Sequence, residues 1–182
     1  INVKAGHYFG ISEIDYAQKT LKLNKLNYMH RIAAGDTINF YKSDLAFVAS
    51  IKIEEIVSER QDDYVVIKAD NLPETVTTEL LAANRTTAAE VTFENNVIRN
   101  KRNRGVLLQS VNSVVRNNAF FNVGHGSLSI MTEASQFNEA IVPENILVEN
   151  NKFVGGNSMG NVVGGDIGII AYGKEWISAP AG

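Results

Sequence analysis

The fold of this chain is decided by residues 91–100 (VTFENNVIRN), because the same pattern occurs twice more along the sequence. The copies are residues 114–122 (VVRNNAFFN) and 146–153 (ILVENNKF). In each copy apolar residues alternate, an Asn-Asn pair follows, and further apolar residues come after the pair. The Asn pairs begin at residues 95, 117 and 150, so the copies are offset by 22 and 33 residues. Self-similarity at this spacing is typical of stacked repeat architectures.

A second pattern follows each Asn pair and indicates the kind of repeat. It consists of residues 104–108 (RGVLL), 126–130 (GSLSI) and 166–170 (DIGII). Each unit is built from short strands joined at Asn, a residue that tolerates the left-handed backbone region and suits a sharp corner. Asn corners on successive units can also hydrogen-bond to one another. We predict a parallel β-helix; Asn-rich hairpins of an antiparallel sandwich are the alternative.

The N-terminal half lacks the Asn-Asn pattern and contains apolar runs of strand length instead. The longest, residues 47–57, is followed by a polar turn and a second run at 64–68, which predicts a β-hairpin. This half is expected to form a small antiparallel β-barrel or sandwich, with a short helix at 77–83. We therefore predict an all-β chain with two domains, an antiparallel β-barrel-like domain at 1–88 and parallel β-helix rungs at 89–182.

The composition excludes several classes of protein. The 182 residues include no cysteine, which excludes disulfides and thiolate chemistry, and the net charge of −3 gives no footprint for nucleic acid. No apolar run approaches the ~20 residues that a membrane-spanning helix needs. The sequence starts at Ile1 without a signal peptide and has three repeat units, so we expect a fragment of a longer extracytoplasmic protein.

The second repeat unit is 11 residues longer than the first, and its insertion holds candidate catalytic residues. Insertions of this kind tend to fall on the binding face of a repeat protein. Glu133 and Glu139 lie on either side of Phe137, and Asp166 opens the matching strand of the next unit. Two carboxylates that flank a bond are what glycoside hydrolysis requires. The alternative is that both glutamates solvate a long loop and that Asp166 is a turn residue.

Candidate substrate-binding residues occur in each repeat unit and beyond the last. Arg102 and Arg104 precede the second pattern of the first unit, where they can bind sugar hydroxyls or a carboxylate. His125 lies between two glycines, and Phe137 and Trp176 are suited to stacking on a sugar. The alternatives are solvated corner charges for the arginines, a loop residue for His125, and burial or capping for Trp176. No His or carboxylate cluster has the spacing of a metal site, so no metal or cofactor is expected.

Residues 94–108 (ENNVIRNKRNRGVLL) resemble the β-helix of the glycoside hydrolase family 110 α-1,3-galactosidases, and their most specific part is 102–105. The resemblance implies a right-handed parallel β-helix with an inserted barrel-like domain, to which residues 1–88 are similar. It also implies removal of terminal α-1,3-linked galactose with inversion. In the family an Asp is expected where this chain has Glu133, and a Glu where it has Glu139. That departure leaves another linkage, or loss of activity, as an alternative.

Together, the repeat and the resemblance predict a glycoside hydrolase that acts on terminal α-linked galactose by an inverting acid/base mechanism. The expected partner is a galactosylated glycan, with no nucleic acid and no membrane span, and the expected location is extracytoplasmic. The alternative is a non-catalytic carbohydrate-binding or adhesive β-helix module, for which we expect an aromatic groove without converging acids. A polysaccharide lyase shares the fold, but the sequence lacks the acidic clusters that calcium needs.

Overall fold

The computed structural model describes residues 1–3, 6–25, 31–60, 63–135, 138–139, 141–160 and 165–173, and no helix occurs among them. The prediction of an all-β chain is therefore confirmed. The prediction of a helix at 77–83 is wrong, because turns occupy the first part of that stretch and a strand begins at Leu81. It follows that these residues contain no helix able to cross a membrane.

Most of the N-terminal half forms a closed antiparallel barrel. The short strand β1 (Asn2–Val3) precedes the barrel. The barrel strands are β2 (Tyr8–Asp15), β3 (Thr20–Lys25), β4 (Thr37–Tyr41), β5 (Phe47–Arg60), β6 (Tyr64–Ala69) and β7 (Leu81–Asn84). Their order around the barrel is β2-β3-β6-β5-β4-β7, and the predicted hairpin is present as β5 and β6. Val65, Ile67 and Ala69 alternate with more exposed neighbours and fill the interior with Phe40.

The remaining strands form three parallel sheets that the chain visits in turn. They are β8 (Thr92–Glu94), β9 (Val97–Lys101), β10 (Val106–Leu108), β11 (Val111–Arg116), β12 (Ala119–Val123), β13 (Leu128–Glu133), β14 (Glu144–Glu149), β15 (Lys152–Val154) and β16 (Ile167–Tyr172). Sheet I has the order β1-β10-β13-β16, sheet II β14-β11-β8 and sheet III β15-β12-β9. Each coil of the chain contributes one strand to every sheet, and together the sheets form the three-sheet stack.

Apolar side chains from all three sheets fill the interior of the stack. Val115, Phe120 and Leu128 are fully buried in one cluster. The ring of Phe120 stacks on that of Phe153, with 4.9 Å between their centroids and 13° between their planes. In the last coil, Ile169 pairs with the inward-facing Ile130 but is 73 % exposed. The described residues therefore leave this end of the apolar interior open.

The Asn pairs form the corners between sheets II and III, as the sequence predicts. Asn95, Asn117 and Asn150, the first members of the pairs, have φ angles of 59°, 54° and 52°, within the left-handed region. The second members form a ladder: Asn96 donates to Oδ1 of Asn118, and Asn118 donates to Oδ1 of Asn151. The corners therefore satisfy one another's backbone and side-chain groups instead of relying on solvent.

The barrel packs against the corner at which sheet I ends and sheet II begins. A buried apolar cluster there includes Tyr8 from the barrel and Val111 and Ile141 from the stack. Beside the cluster, Nε of Arg85 donates to Oε1 of Glu144 at 2.7 Å. Apolar burial and one ion pair therefore join the barrel to the stack.

Strand β1 belongs to the stack although it precedes the barrel. Asn2 and Val3 pair in parallel with Leu107 and Leu108, which makes β1 the edge strand of sheet I. The predicted unit 1–88 therefore contributes one strand to the stack. The chain leaves the stack after β1, builds the barrel, and returns to the stack at β8.

Candidate functional site

Glu133 and Glu139 are brought together by a backbone bridge. The N–H of Glu133 donates to the carbonyl of Glu139 at 3.1 Å, and the N–H of Glu139 donates to the carbonyl of Glu133 at 2.8 Å. This reciprocal pattern is the hydrogen-bonded pair of an antiparallel ladder, in which the Cα atoms lie about 5.5 Å apart. Residues directly opposite in such a pair project their side chains to the same face. The two predicted acids therefore share one face of the protein.

Two further titratable residues extend this pair into a row. His7 forms an antiparallel bridge with Glu139, and Tyr172 is the parallel partner of Glu133 in sheet I. Four backbone segments thus place His7, Glu139, Glu133 and Tyr172 side by side, and we call these four residues the acid row. Sequence reasoning missed His7 and Tyr172, because only the pairing of distant segments brings them to the glutamates.

The Glu133 carboxylate is held by its own loop. Only 6 % of Glu133 is exposed, and its Oε1 accepts hydrogen bonds from the backbone N–H of Ser135 at 2.9 Å and from the Ser135 hydroxyl. Glu139 is half-buried. The two acids therefore differ in environment, with Glu133 enclosed and fixed and Glu139 more accessible.

The buried Tyr8 phenol lies close to the acid row. Its oxygen is 2.7 Å from Oγ1 of Thr132, the residue before Glu133. Burial raises the pKa of Tyr8 above its ordinary value; the hydrogen bond with Thr132 opposes that shift, while Tyr41 and Glu133 add to it. Tyr8 is consequently a neutral hydroxyl at physiological pH, and it connects the first barrel strand to the end of β13.

Polar groups with unmet hydrogen bonds lie on the outer side of sheet I. Leu108 and Ile130 point into the stack, so Gln109 and Ser129 face the other way, as does Met131. Oε1 of Gln109 and Oγ of Ser129 are buried and have no hydrogen-bond partner among the described residues. Gln109 and Ser129, which the sequence pattern did not single out, are 2 % and 0 % exposed and are therefore enclosed polar groups, not surface contacts.

Arg104 is the predicted binding residue that the structure directs toward the acid row. Its Nη1 lies 3.6 Å from Sδ of Met131, on the outer surface of sheet I. Glu133 is two residues further along the same strand, a rise of about 7 Å. The Arg104 guanidinium therefore extends along the sheet on the side that carries Glu133.

Asp166 does not join the two glutamates. It precedes β16, and its Oδ1 accepts a hydrogen bond from Oγ of Ser127 at 2.5 Å. Ser127 is six residues before Glu133 along one extended strand, which corresponds to about 20 Å. A Cβ at Gly156 would lie 1.5 Å from the same Oδ1, so a glycine there makes room for the carboxylate. Asp166 therefore lies in a turn before β16, which agrees with the alternative interpretation of this residue.

The other predicted binding residues lie away from the acid row or outside the description. Arg102 is exposed at the corner between sheets III and I. Its carbonyl oxygen lies close to Gly124 of the next coil, where a Cβ would be only 2.2 Å away. His125 is half-buried at the same corner. Phe137 and Trp176 lie outside the described residues, so the structure gives neither of them a position.

Among the residues that the structure describes, no group of three or more His, Cys, Asp or Glu side chains has an arrangement that can hold a metal ion. Comparison with protein-family models and with curated proteins gives no match to this chain. Inference about function therefore starts from the geometry of the acid row.

Proposed function

We propose that the protein is a glycoside hydrolase built on a right-handed parallel β-helix with an inserted barrel, and that it removes terminal α-linked galactose with inversion. The β-helix is supported by three parallel sheets that successive strands visit in turn. Right-handed connection is the general rule for parallel strands. The chemistry is supported by one observation, the bridge that places Glu133 and Glu139 on one face.

Glu133 acts as the general base in this proposal, and Glu139 acts as the general acid. Two hydrogen bonds from Ser135 hold the Glu133 carboxylate in one orientation, as is needed to position an attacking water. The more accessible Glu139 gives its proton to the glycosidic oxygen as the carbon–oxygen bond breaks, while Glu133 takes a proton from the water that adds to the anomeric carbon. Inversion needs carboxyl groups roughly 6.5–9.5 Å apart, and long side chains on Cα atoms about 5.5 Å apart can span that range.

Substrate contacts come from residues around the two acids. Arg104 is directed along sheet I toward Glu133. His7 and Tyr172 flank the acids in the row and supply hydrogen bonds to sugar hydroxyls. An extracytoplasmic location follows from such a substrate, because galactosylated glycans are displayed outside cells.

The test is release of galactose from α-1,3-linked and α-1,4-linked galactosyl disaccharides, followed by proton NMR. The native sequence should release galactose that appears first as the β-anomer. Glu133→Gln and Glu139→Gln should each reduce the rate by about 10² to 10⁴, the usual contribution of a general acid or base. Glu79→Gln, on the exposed barrel surface, is the matched control and should retain full activity. Equal activity in all four proteins contradicts the assignment.

A second candidate function is a non-catalytic carbohydrate-binding or adhesive module. The observation that favours it is the burial of Glu133, whose carboxylate is occupied by its own loop, as in a structural turn. This function requires that galactosylated glycans bind without any galactose release. It also requires that binding survives Glu133→Gln, which separates it from hydrolysis in the same set of proteins.

A further inference from the structure

The strands of sheet III carry positive charge without any acid. Strands β9, β12 and β15 contain Arg99, Lys101 and Lys152 and no Asp or Glu, and Arg102 and Arg104 follow β9 directly. The whole chain has 17 Lys and Arg against 20 Asp and Glu. This side of the stack is therefore positively charged, although the whole protein has a net negative charge.

The pairing register gives these cations a defined arrangement. Phe120 is buried in the stack, so Phe121 faces outward, and it pairs with Arg99 on one side. On the other side, Nζ of Lys152 lies 5.8 Å from the centroid of the Phe121 ring. Arg99, Lys101, Arg102 and Lys152 are exposed, and Phe121 is half-buried. Lys101 pairs with the buried Val123 and so leaves this outer face, and Arg99, Arg102, Lys152 and Phe121 form what we call the basic face.

The cations of the basic face lack the acidic partners that Arg116 and Arg85 have. Nε of Arg116 donates to Glu94 at 2.6 Å, and Arg85 pairs with Glu144. None of the three cations of the basic face forms an ion pair with any residue that the structure describes. Like charges held together without partners repel one another, and an anionic ligand removes that repulsion.

We propose that the basic face binds an anionic polysaccharide that carries carboxylate or sulfate groups. Lys152 lies two strands away from Arg99, about 10 Å across the sheet, which is a sparse spacing of charge. Double-stranded DNA has one charge per about 1.7 Å of its axis, and single strands need successive stacking rings, of which this face has one. Exposed amides at Asn100 and Asn103 can pair with sugar hydroxyls.

This binding site is independent of the proposed hydrolysis. The basic face lies on sheet III and the corner after it, whereas the acid row lies at the far end of sheet I. Loss of galactose release on Glu133→Gln therefore says nothing about the basic face. Equally, a protein without hydrolytic activity still binds the anionic polymer if the basic face functions as proposed.

The test measures binding of polygalacturonate and heparin by calorimetry, with neutral dextran as the reference polymer. The native sequence should bind both anionic polymers, not dextran, and more weakly as salt is added. Arg99→Gln combined with Lys152→Gln should weaken binding about threefold to tenfold. Lys42→Gln combined with Lys52→Gln removes the same charge from exposed positions on the barrel and should leave the affinity within twofold.

Several outcomes overturn the proposal. Equal weakening by both double variants would show that net charge matters and the basic face does not. Tighter binding to a single-stranded oligonucleotide, or to vesicles of anionic phospholipid, than to polygalacturonate would assign the face to another class of partner. Absence of binding to either polymer also refutes it. Thermal unfolding of each variant shows that the comparison is made between folded proteins.

Discussion

Oδ1 of Asn118 accepts two hydrogen bonds from Asn96, one from the backbone N–H at 3.0 Å and one from Nδ2 at 3.2 Å. The two residues are 22 positions apart in sequence and occupy equivalent corners of successive coils. A single side chain thus accepts from both donor nitrogens of Asn96 in the corner beneath it. This contact ties the repeat in the sequence to the stacking of the coils.

Replacement of Asn118 by Ala should destabilise the stack by about 2–4 kcal/mol. The change removes the acceptor for Asn96 and also the Nδ2 donor to the Phe93 carbonyl and to Asn151, and a buried group left unpaired costs about 1–3 kcal/mol. Urea unfolding measures the loss. Asn103→Ala, at an exposed corner of the preceding coil, should change stability by less than about 0.5 kcal/mol. Equal losses in both variants would mean that the ladder contributes nothing specific.

The left-handed corner at Asn117 should discriminate between Gly and Ala. Its φ of 54° is accessible to glycine without strain, but it costs an ordinary L-residue about 1–2 kcal/mol. Asn117→Gly should therefore unfold within about 0.5 kcal/mol of the native sequence, and Asn117→Ala should unfold at lower denaturant. The difference between the two midpoints is the quantity to measure. An alanine variant as stable as the glycine variant would show that the corner relaxes to negative φ.

The ion pair between Arg85 and Glu144 should give a small, salt-sensitive coupling. The side chains are 25 % and 47 % exposed, so we expect about 0.5–1 kcal/mol from a double-mutant cycle with Arg85→Gln and Glu144→Gln. The coupling should fall toward zero in 1 M salt, where the Debye length is about 3 Å. A coupling that salt leaves unchanged would indicate a buried contact instead of a surface pair.

Stability should decline at high pH because of Tyr8. Its pKa is raised by burial, so above the ordinary tyrosine value of about 10 the unfolded chain loses a proton that the folded protein keeps. The unfolded state then binds fewer protons, and the free energy of unfolding falls by up to about 1.4 kcal/mol per pH unit for this group. Tyr8→Phe should flatten that dependence between pH 10 and 11, at the cost of the bond to Thr132. If the free energy of unfolding depends on pH equally in the native sequence and in Tyr8→Phe, the role of Tyr8 is contradicted.

If the protein hydrolyses galactosides, Ser135→Ala should slow turnover more than it weakens binding. The change removes the hydroxyl that donates to Glu133 and leaves the backbone donor in place. Loss of one positioning hydrogen bond, about 1.4 kcal/mol, corresponds to a tenfold lower kcat. Ser158→Ala, in an exposed turn, is the matched control. A change in KM without a change in kcat would assign Ser135 to binding instead of positioning.

The Asn corners could be predicted from sequence because their cause is local. The left-handed backbone favours Asn at the first position of each pair, Asn95, Asn117 and Asn150. The second position of each pair is also Asn, because it builds the hydrogen-bonded ladder. The repeat is therefore visible in the amino-acid sequence. Asn100 and Asn122 also adopt the left-handed region, with φ angles of 55° and 52°. Each of these is a single Asn without an adjacent Asn, so the sequence pattern does not identify it as a corner.

The site could be predicted only in part, because it depends on which ends of the strands meet. Glu133 and Glu139 are close in sequence, and the structure brings them together as expected. Asp166 was expected beside them because it opens the matching strand, but it lies at the start of that strand whereas Glu133 lies at the end of its own. His7 reaches the row through a bridge across most of the chain, which no local pattern encodes.

The position of β1 has a consequence for the order in which this protein assembles during synthesis. The backbone nitrogen of Ile1 donates to the carbonyl of Gly105, 104 residues later, so β1 emerges long before its partner β10 does. The barrel lies between them, and its first and last strands are paired, with Tyr8 beside Ala83. Once folded, the barrel replaces a long flexible loop with a short connection, which reduces the entropy that β1 and β10 lose on pairing. The barrel thereby acts as an internal template, and damage to it should delay completion of the first coil.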